Sequence, residues 1–269
     1  MPAIFDSHAH YDDSAFDPDR DVLLTRLFDQ SQDYPVTGIV NAGSTVDSSR
    51  MSLRLAEAYP HLFAAVGVHP EEAASMTGRA LDEIRAIATH PKAVAIGEIG
   101  LDYHFEDACP REVQMAWFRR QLELAQALSL PVILHDREAH QDMLETLSAF
   151  YPAGPGKMER AGVLHCFSGS VEMAQEVIRR GFYIGLGGVV TFKNARKAVE
   201  VAAAVPLDAL LLETDAPYMA PVPYRGKRCD SGMIAATAAR VAEIGGMSAA
   251  DLLARTEENA RRLFGIAAD

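Results

Sequence analysis

Eight short apolar segments, spaced along the whole chain, constrain its fold more than any other feature of the sequence. They cover residues 3–6, 38–41, 63–68, 93–98, 132–135, 163–166, 183–186 and 209–213. Short, almost wholly apolar segments are typical of parallel strands that are covered on both faces. The pattern therefore predicts a parallel sheet buried beneath helices.

Helical patterns lie between these segments, with apolar residues recurring at helical spacing. The clearest of them cover residues 21–30, 112–129, 171–180, 195–204 and 233–264. A strand followed by a helix, eight times over, predicts an α/β protein with the (β/α)8 architecture of a TIM barrel. A doubly wound open sheet is the alternative. It is disfavoured because no Gly-rich dinucleotide- or phosphate-binding loop follows the first segment.

The length of 269 residues, without an obvious linker, predicts one barrel domain over residues 1–269. No apolar run approaches the roughly 18 residues that span a bilayer, and no signal peptide is recognisable. Cys109, Cys166 and Cys229 are far apart and form no C-x-x-C pair, which favours a reducing compartment. We expect a cytoplasmic protein with no membrane contact and no obligate protein partner.

The net charge of −12 argues against a protein that coats nucleic acid, because such binding relies on Lys and Arg. It does not argue against an enzyme that acts on nucleic acid. Bound divalent cations add positive charge where phosphate sits, and they need acidic ligands.

Polar residues stand where the predicted strands end, and catalytic residues of such barrels lie at the carboxyl ends of strands. Five of the nine histidines fall there, together with two acidic residues. These candidates are His8, His10, His69, Glu98, His135, His165 and Asp215. We expect all of them to point into one mouth of the barrel.

The spacing of these residues favours a metal centre. His8 and His10 are two positions apart on a strand, so both imidazoles lie on the same face. Imidazoles beside a carboxylate suit Zn²⁺, Mn²⁺ or a similar divalent ion. Four of the histidines with two carboxylates exceed one tetrahedral site, which indicates two ions about 3.5–4 Å apart. Glu98, on a middle strand, is placed to bridge them.

Each candidate also has a plainer interpretation when it is taken alone. A histidine at a strand end is often a hydrogen-bonded structural residue, and Asp215 could cap the segment that follows it. Glu98 is different, because an unpaired carboxylate inside an apolar strand is costly. Six metal-compatible residues at the ends of five strands together predict a metal centre.

Longer motifs run through the whole chain in a fixed order. They are Asp6-Ser7-His8-Ala9-His10, Val66-Gly67-Val68-His69-Pro70, the segment 95–103, the segment 130–137, His165-Cys166-Phe167-Ser168-Gly169, Thr191-Phe192-Lys193, Glu213-Thr214-Asp215-Ala216-Pro217-Tyr218 and Arg225-Gly226-Lys227-Arg228. With these motifs the chain resembles the TatD family of metal-dependent deoxyribonucleases, among the amidohydrolase-like barrels.

This resemblance implies roles for individual residues. His8 and His10 would hold one ion with Asp215, His135 and His165 would hold the other, and Glu98 would bridge them. The cofactors would be two divalent cations, Zn, Mg or Mn. Glu98 and Asp215 would be the catalytic residues, with Asp215 orienting the nucleophilic water and accepting its proton. Substrate contacts would come from His69, Arg137, Lys193 and Arg225.

The function implied is hydrolysis of phosphodiester bonds, with DNA as the substrate and single strands digested from the 3′ end. One alternative is another ester or amide hydrolase on the same centre, such as an aminoacyl-tRNA deacylase or a small phosphoesterase. A different class would be a barrel kept as a non-catalytic binding protein. The chain has Cys229-Asp230-Ser231 where the family usually has Asn-Glu-Pro. We expect this loop to border the substrate and to affect substrate preference.

Overall fold

The computed structural model describes residues 2–104, 109–154 and 158–267. Within these ranges eight strands form one sheet, and each strand pairs in parallel with the next one along the chain. The strands are β1 (Ile4–Ala9), β2 (Val36–Ala42), β3 (Leu62–Val66), β4 (Ala93–Asp102), β5 (Val132–Arg137), β6 (Gly162–Leu164), β7 (Phe182–Leu186) and β8 (Leu210–Leu212).

Helices connect and cover these strands. Over the same residues they are α1 (Arg20–Leu27), α2 (Val46–Ala58), α3 (Gly78–Ala88), α4 (Arg111–Leu128), α5 (His140–Phe150), α6 (Val171–Arg179), α7 (Arg196–Ala204), α8 (Ile234–Gly245) and α9 (Ala249–Phe264). Short 3-10 helices lie at Ser14–Phe16, Pro70–Ser75, Gly188–Thr191, Leu207–Ala209 and Ser231–Met233. No helix in the described part of the chain combines the length and apolar character needed to cross a bilayer.

The sheet closes on itself where β8 meets β1. The amide of Asp215 donates to the carbonyl of His8 at 3.0 Å, and the amide of His10 donates to Ala216 at 2.7 Å. The Ser7 hydroxyl adds a hydrogen bond to the carbonyl of Leu212 at 3.1 Å. The predicted TIM barrel is therefore confirmed, and the open sheet is excluded. The single-domain organisation over residues 1–269 stays a prediction.

One or two residues from every strand meet in a buried cluster that fills the barrel interior. Phe264 of α9 belongs to this cluster, and its ring stacks on that of Phe5 at 6.4 Å. Three interior residues are followed two positions later by a polar residue: Ile133 by His135, Val163 by His165 and Leu211 by Glu213. Since side chains alternate along a strand, the polar residues stand one layer above the apolar interior.

The carboxyl-terminal tail departs from the prediction of one continuous helical pattern over residues 233–264. Two helices, α8 and α9, occupy it. Gly246 adopts a left-handed conformation with φ of 67°, and its amide and that of Met247 cap the last carbonyls of α8. The Ser248 side chain then accepts from the amide of Asp251 and starts α9. The prediction missed this break because apolar spacing resumes directly after it.

Candidate metal centre

The strand-end histidines and carboxylates gather at the carboxyl end of the barrel, around a cavity of about 860 Å³. The predicted residues that line it are His10, His69, Glu98, His135, Arg137, His165 and Asp215. His8 is completely buried at the base of this group, within reach of the same ligand atoms. The structure thus brings together all six predicted metal ligands.

Glu98 lies in the middle of the cluster, and its two oxygens face different histidines. Oε2 lies 3.5 Å from Nε2 of His8 and 3.6 Å from Nε2 of His10. Oε1 lies 2.9 Å from Nδ1 of His135 and 2.6 Å from Nε2 of His165. The carboxylate therefore stands between two pairs of imidazoles.

Asp215 completes the first of these groups. Its Oδ1 lies 3.4 Å from Nε2 of His10 and 3.6 Å from Nε2 of His8. The residue follows β8 and has a left-handed backbone with φ of 62°. This conformation is uncommon for residues other than Gly, Asn and Asp, and it accompanies a side chain that lines the cavity.

Hydrogen bonds on the far side of two rings set which nitrogen faces the cluster. Nδ1 of His10 lies 2.9 Å from the carbonyl oxygen of Ala42, so in a neutral ring it carries the proton and leaves the Nε2 lone pair free. Nε2 of His135 lies 2.9 Å from Oδ2 of Asp102, so in a neutral ring Nδ1 presents its lone pair to Glu98. Carboxylates and carbonyls orient metal-bound histidines in this way.

Asp102 is not among the residues predicted from the sequence, although the sequence holds a signal for it. It lies four residues after Glu98, and β4 runs on to Asp102 where the prediction ended the strand at residue 98. Gly100 permits this extension, because a Cβ there would lie 2.0 Å from the carbonyl oxygen of His135. A strand period of two then places Glu98 and Asp102 on one face.

The donor set fits divalent cations. The Nε2 atoms of His8 and His10 are 3.0 Å apart, and Nδ1 of His135 lies 3.3 Å from Nε2 of His165. Ligand atoms that share one ion through bonds of about 2.1 Å are about 3.0–3.4 Å apart. Lone pairs that face each other and Glu98 at such distances repel unless a proton or a metal ion lies between them.

Burial is the largest single influence on the pKa of each of these groups, and neighbouring charges shift the pKa further or in the opposite direction. Burial alone would raise the pKa of Glu98, but the surrounding imidazoles hold it well below its usual range. Burial lowers the pKa of His10, but the hydrogen bond to Asp215 and the charge of Glu98 raise it to about 10. His8 is shifted down to a pKa of about 4 by burial and by nearby positive charge. Ionised carboxylates thus hold positive charge among them.

His69 differs from the other histidines. The amide of Glu71 donates to its Nδ1 at 3.3 Å, which in the neutral ring leaves the proton on Nε2. That N–H lies 3.6 Å from Oε1 of Glu98. Although His69, Glu98 and His135 are close enough to hold an ion together, the hydrogen bond from Glu71 favours His69 as a donor. Burial also lowers its pKa to about 3, so the ring is neutral.

The predicted phosphate contacts occupy different places. Arg137 lines the cavity, whereas Lys193 does not, and α7 contributes Arg196 and Lys197 instead. Arg225 lies over the ring of Phe192 at 3.8 Å and lines a second groove beside the cavity. The spacing of residues in the sequence could not show that Lys197 rather than Lys193 lines the cavity, because the turn that leads into α7 has no regular period. The roles of these cations stay predictions.

The sequence predicts that the loop with Cys229-Asp230-Ser231 borders the substrate. In the structure, however, these three residues do not line the cavity. Cys229 and Ser231 are fully buried beneath β1. The Ser231 hydroxyl donates to Oδ2 of Asp6 at 2.7 Å and lies 2.8 Å from the hydroxyl of Tyr11. Asp6 also accepts from the hydroxyl of Thr214 at 2.6 Å. Ser231 therefore helps to hold the segment that carries His8 next to the segment that carries Asp215, because both Ser231 and Thr214 donate to Asp6.

Comparisons with known proteins identify the family to which the chain belongs. A family model described as TatD related DNase matches residues 5–265. The chain is 38% identical over 263 residues to the uncharacterized metal-dependent hydrolase YabD of Bacillus subtilis, covering 98% of this chain and 99% of the relative. It is 35% identical over 270 residues to a protein of Escherichia fergusonii named 3'-5' ssDNA/RNA exonuclease TatD, covering 98% and 99%.

A solved structure is similar along its whole length. The crystal structure of YJJV, a TatD homologue from Escherichia coli K12, matches with a TM-score of 0.89 and 32% identity over 98% of both chains. The family predicted from the motifs is thereby confirmed. The chain belongs to the TatD-related DNase family, and it is an enzyme, a metal-dependent hydrolase.

Proposed function

We propose that this enzyme hydrolyses phosphodiester bonds of single-stranded nucleic acid, DNA in the first place, from the 3′ end with two divalent cations. The observation that carries the proposal is the position of Glu98 between two pairs of histidines, with one oxygen toward each pair. Relatives over 30% identical along the whole chain are named 3'-5' ssDNA/RNA exonucleases, which supports the substrate and the direction.

His8, His10 and Asp215 would hold one cation, His135 and His165 would hold the other, and Glu98 would contact both. Cations bound there would supply Lewis-acid activation of water and neutralise phosphate charge. A ligand set rich in imidazole suits Zn²⁺ or Mn²⁺, whereas Mg²⁺ prefers oxygen ligands.

The chain's own residues would orient the substrate and move the proton. Asp215 lines the cavity beside both His8 and His10, so its carboxylate is placed to accept a proton from the attacking water. The Nε2–H of His69 would donate to a phosphate oxygen. Arg137 would add positive charge at the rim.

The shape of the cavity favours a nucleotide over a compact ester. Its volume lies in the upper part of the roughly 300–1,000 Å³ range of small-molecule sites. Phe167 and Tyr218 line it together with Arg196 and Lys197. An aromatic surface beside cations suits a base and its phosphate. A small phosphoester, one of the alternative substrates, would need neither. We further propose that the enzyme acts in the cytoplasm, in keeping with three unpaired cysteines.

The direct test is a substrate panel after metal removal. The chelated protein is reloaded separately with Mg²⁺, Mn²⁺ or Zn²⁺ and offered labelled single-stranded DNA, duplex DNA, RNA and a bis-aryl phosphodiester. We expect no hydrolysis before reloading, and then single strands shortened from the 3′ end. The variant Asp215→Asn, purified identically, controls for contaminating nucleases. Full activity of the chelated protein, or hydrolysis of the bis-aryl phosphodiester alone, would overturn the proposal.

A further inference from the structure

The segment that follows β8 exposes an unusual share of apolar surface. Large apolar side chains that are well exposed are few among the described residues, and four of the seven lie in this one segment: Tyr218 at 53%, Met219 at 42%, Val222 at 47% and Tyr224 at 37%. Single exposed apolar residues are ordinary on a protein surface, but a cluster marks a binding site.

This apolar cluster borders a groove that opens into the catalytic cavity. The side groove, as we name it, is lined by Tyr218, Met219, Arg225 and Lys227, among others. Tyr218 and Met219 also line the cavity, as does Asp13, so the two depressions share a wall. The hydroxyl of Tyr218 donates to Asp13 at 2.9 Å, which fixes the ring while more than half of the residue stays exposed.

Two cations of the side groove are available for an anion. Among the described residues, no carboxylate lies within 4.0 Å of the charged nitrogens of Arg225 or Lys227. Arg228 differs, because it makes two hydrogen bonds to the carboxylate of Asp19 at 2.8 and 2.7 Å. Uncompensated cations are notable in a chain with a net charge of −12.

The loop that carries these groups is held in place before any ligand arrives. Arg228 ties its end to Asp19, and the amide of Val222 donates to the hydroxyl of Thr191 at 2.8 Å. The guanidinium of Arg225 rests on the ring of Phe192. An ordered loop loses little conformational entropy when it binds.

We propose that the side groove binds the nucleotide adjacent to the scissile linkage of a single-stranded polynucleotide. Its base stacks on Tyr218 and Met219, and its phosphate lies against Arg225 and Lys227. The proposal rests on the proposed function, since the cavity would hold the reacting phosphodiester and the groove the next unit of the same strand. Alternating flat bases and phosphates match alternating aromatic and cationic side chains, whereas an acidic peptide would not use the exposed ring faces.

The experiment compares two substrates of different length. One is a fluorescent single-stranded 12-mer deoxynucleotide, and the other is a bis-aryl phosphodiester too short to reach the groove. The measured quantity is the ratio of the two kcat/KM values for the wild type, Tyr218→Ala, and Arg225→Ala combined with Lys227→Ala. The control combines Arg54→Ala with Arg85→Ala, which removes the same charge from exposed positions late in α2 and α3.

We expect the ratio to fall roughly fivefold or more for Tyr218→Ala, the size of one lost stacking contact. The double variant of the groove should also show a shallower salt dependence on the 12-mer, by about 0.7 in the log–log slope for each lost phosphate contact. The control should match the wild type in both.

The outcomes separate this proposal from the proposed function. If the wild type digests the 12-mer while the groove variants keep its ratio and salt slope, the groove proposal fails and the proposed function stands. If the wild type hydrolyses the short diester but not the 12-mer, both the groove and the polynucleotide substrate are wrong. If it hydrolyses neither with any cation loaded, both proposals are overturned. Circular dichroism of each variant verifies folding.

Discussion

Nε2 of His135 lies 2.9 Å from Oδ2 of Asp102, a nearly buried carboxylate at the end of β4. This contact turns the opposite nitrogen of the ring toward Glu98, also at 2.9 Å. The orientation of a proposed metal ligand thus depends on a residue that would not touch the metal itself.

Replacing Asp102 should weaken the hold on one cation. Asp102→Ala frees the His135 ring to rotate and to change its protonated nitrogen. We expect metal affinity or activity to fall about ten- to a hundredfold, with recovery at higher metal concentration. The measurement is activity across a metal titration. Glu138→Gln is the matched control, because Glu138 pairs with His104 at 2.7 Å outside the cavity lining. Equal behaviour of both variants would remove the proposed role of Asp102.

Asp215 and His135 should respond differently to added metal. Asp215→Asn keeps the shape and one oxygen but cannot accept a proton, so kcat should fall about 10²–10⁴-fold with little change in KM. His135→Ala removes a neutral ligand, so excess metal should restore part of its activity. Both variants are assayed over the same metal series. Rescue of Asp215→Asn but not of His135→Ala would reverse this division of roles.

Ser231 should contribute to stability more than to catalysis. Ser231→Ala leaves the buried hydroxyl of Tyr11 without its acceptor and removes one donor to Asp6. We expect the free energy of unfolding to fall by about 1–3 kcal/mol. Urea unfolding measures it. Ser148→Ala is the control, because among the described residues this exposed hydroxyl bonds only the carbonyl of Leu144 in its own helix. Equal free energies of unfolding for the two variants would show that the hydrogen bonds around Asp6 do not stabilise the fold.

The fold and the convergence of ligands could be predicted because both depend on simple periodicities. Parallel strands that alternate with helices place every strand's carboxyl end at one mouth, so His8, Glu98 and His165 had to meet. The extension of β4 to Asp102 could not be predicted from apolar content, since polar and glycine residues end the apolar run there.

Loops were harder to place than strand ends. Ser231 follows a family motif that ends in the side groove, yet it turns inward to Asp6, because a buried carboxylate needs hydrogen-bond donors. Likewise Lys197, rather than Lys193, lines the cavity. No sequence period reports such turns, and only the three-dimensional packing decides them.

The metal content of the protein tests most directly whether Glu98 bridges two cations. Wild type, Glu98→Ala and the control Glu71→Ala are loaded with Zn²⁺ or Mn²⁺, dialysed and analysed by elemental mass spectrometry. Glu71 lines the same cavity but is not among the grouped ligand residues. We expect two ions per chain in the wild type and the control, and loss of both in a folded Glu98→Ala with kcat lower by several orders of magnitude. Two ions retained at full occupancy in Glu98→Ala, or a single ion in the active wild type, would contradict the bridging role.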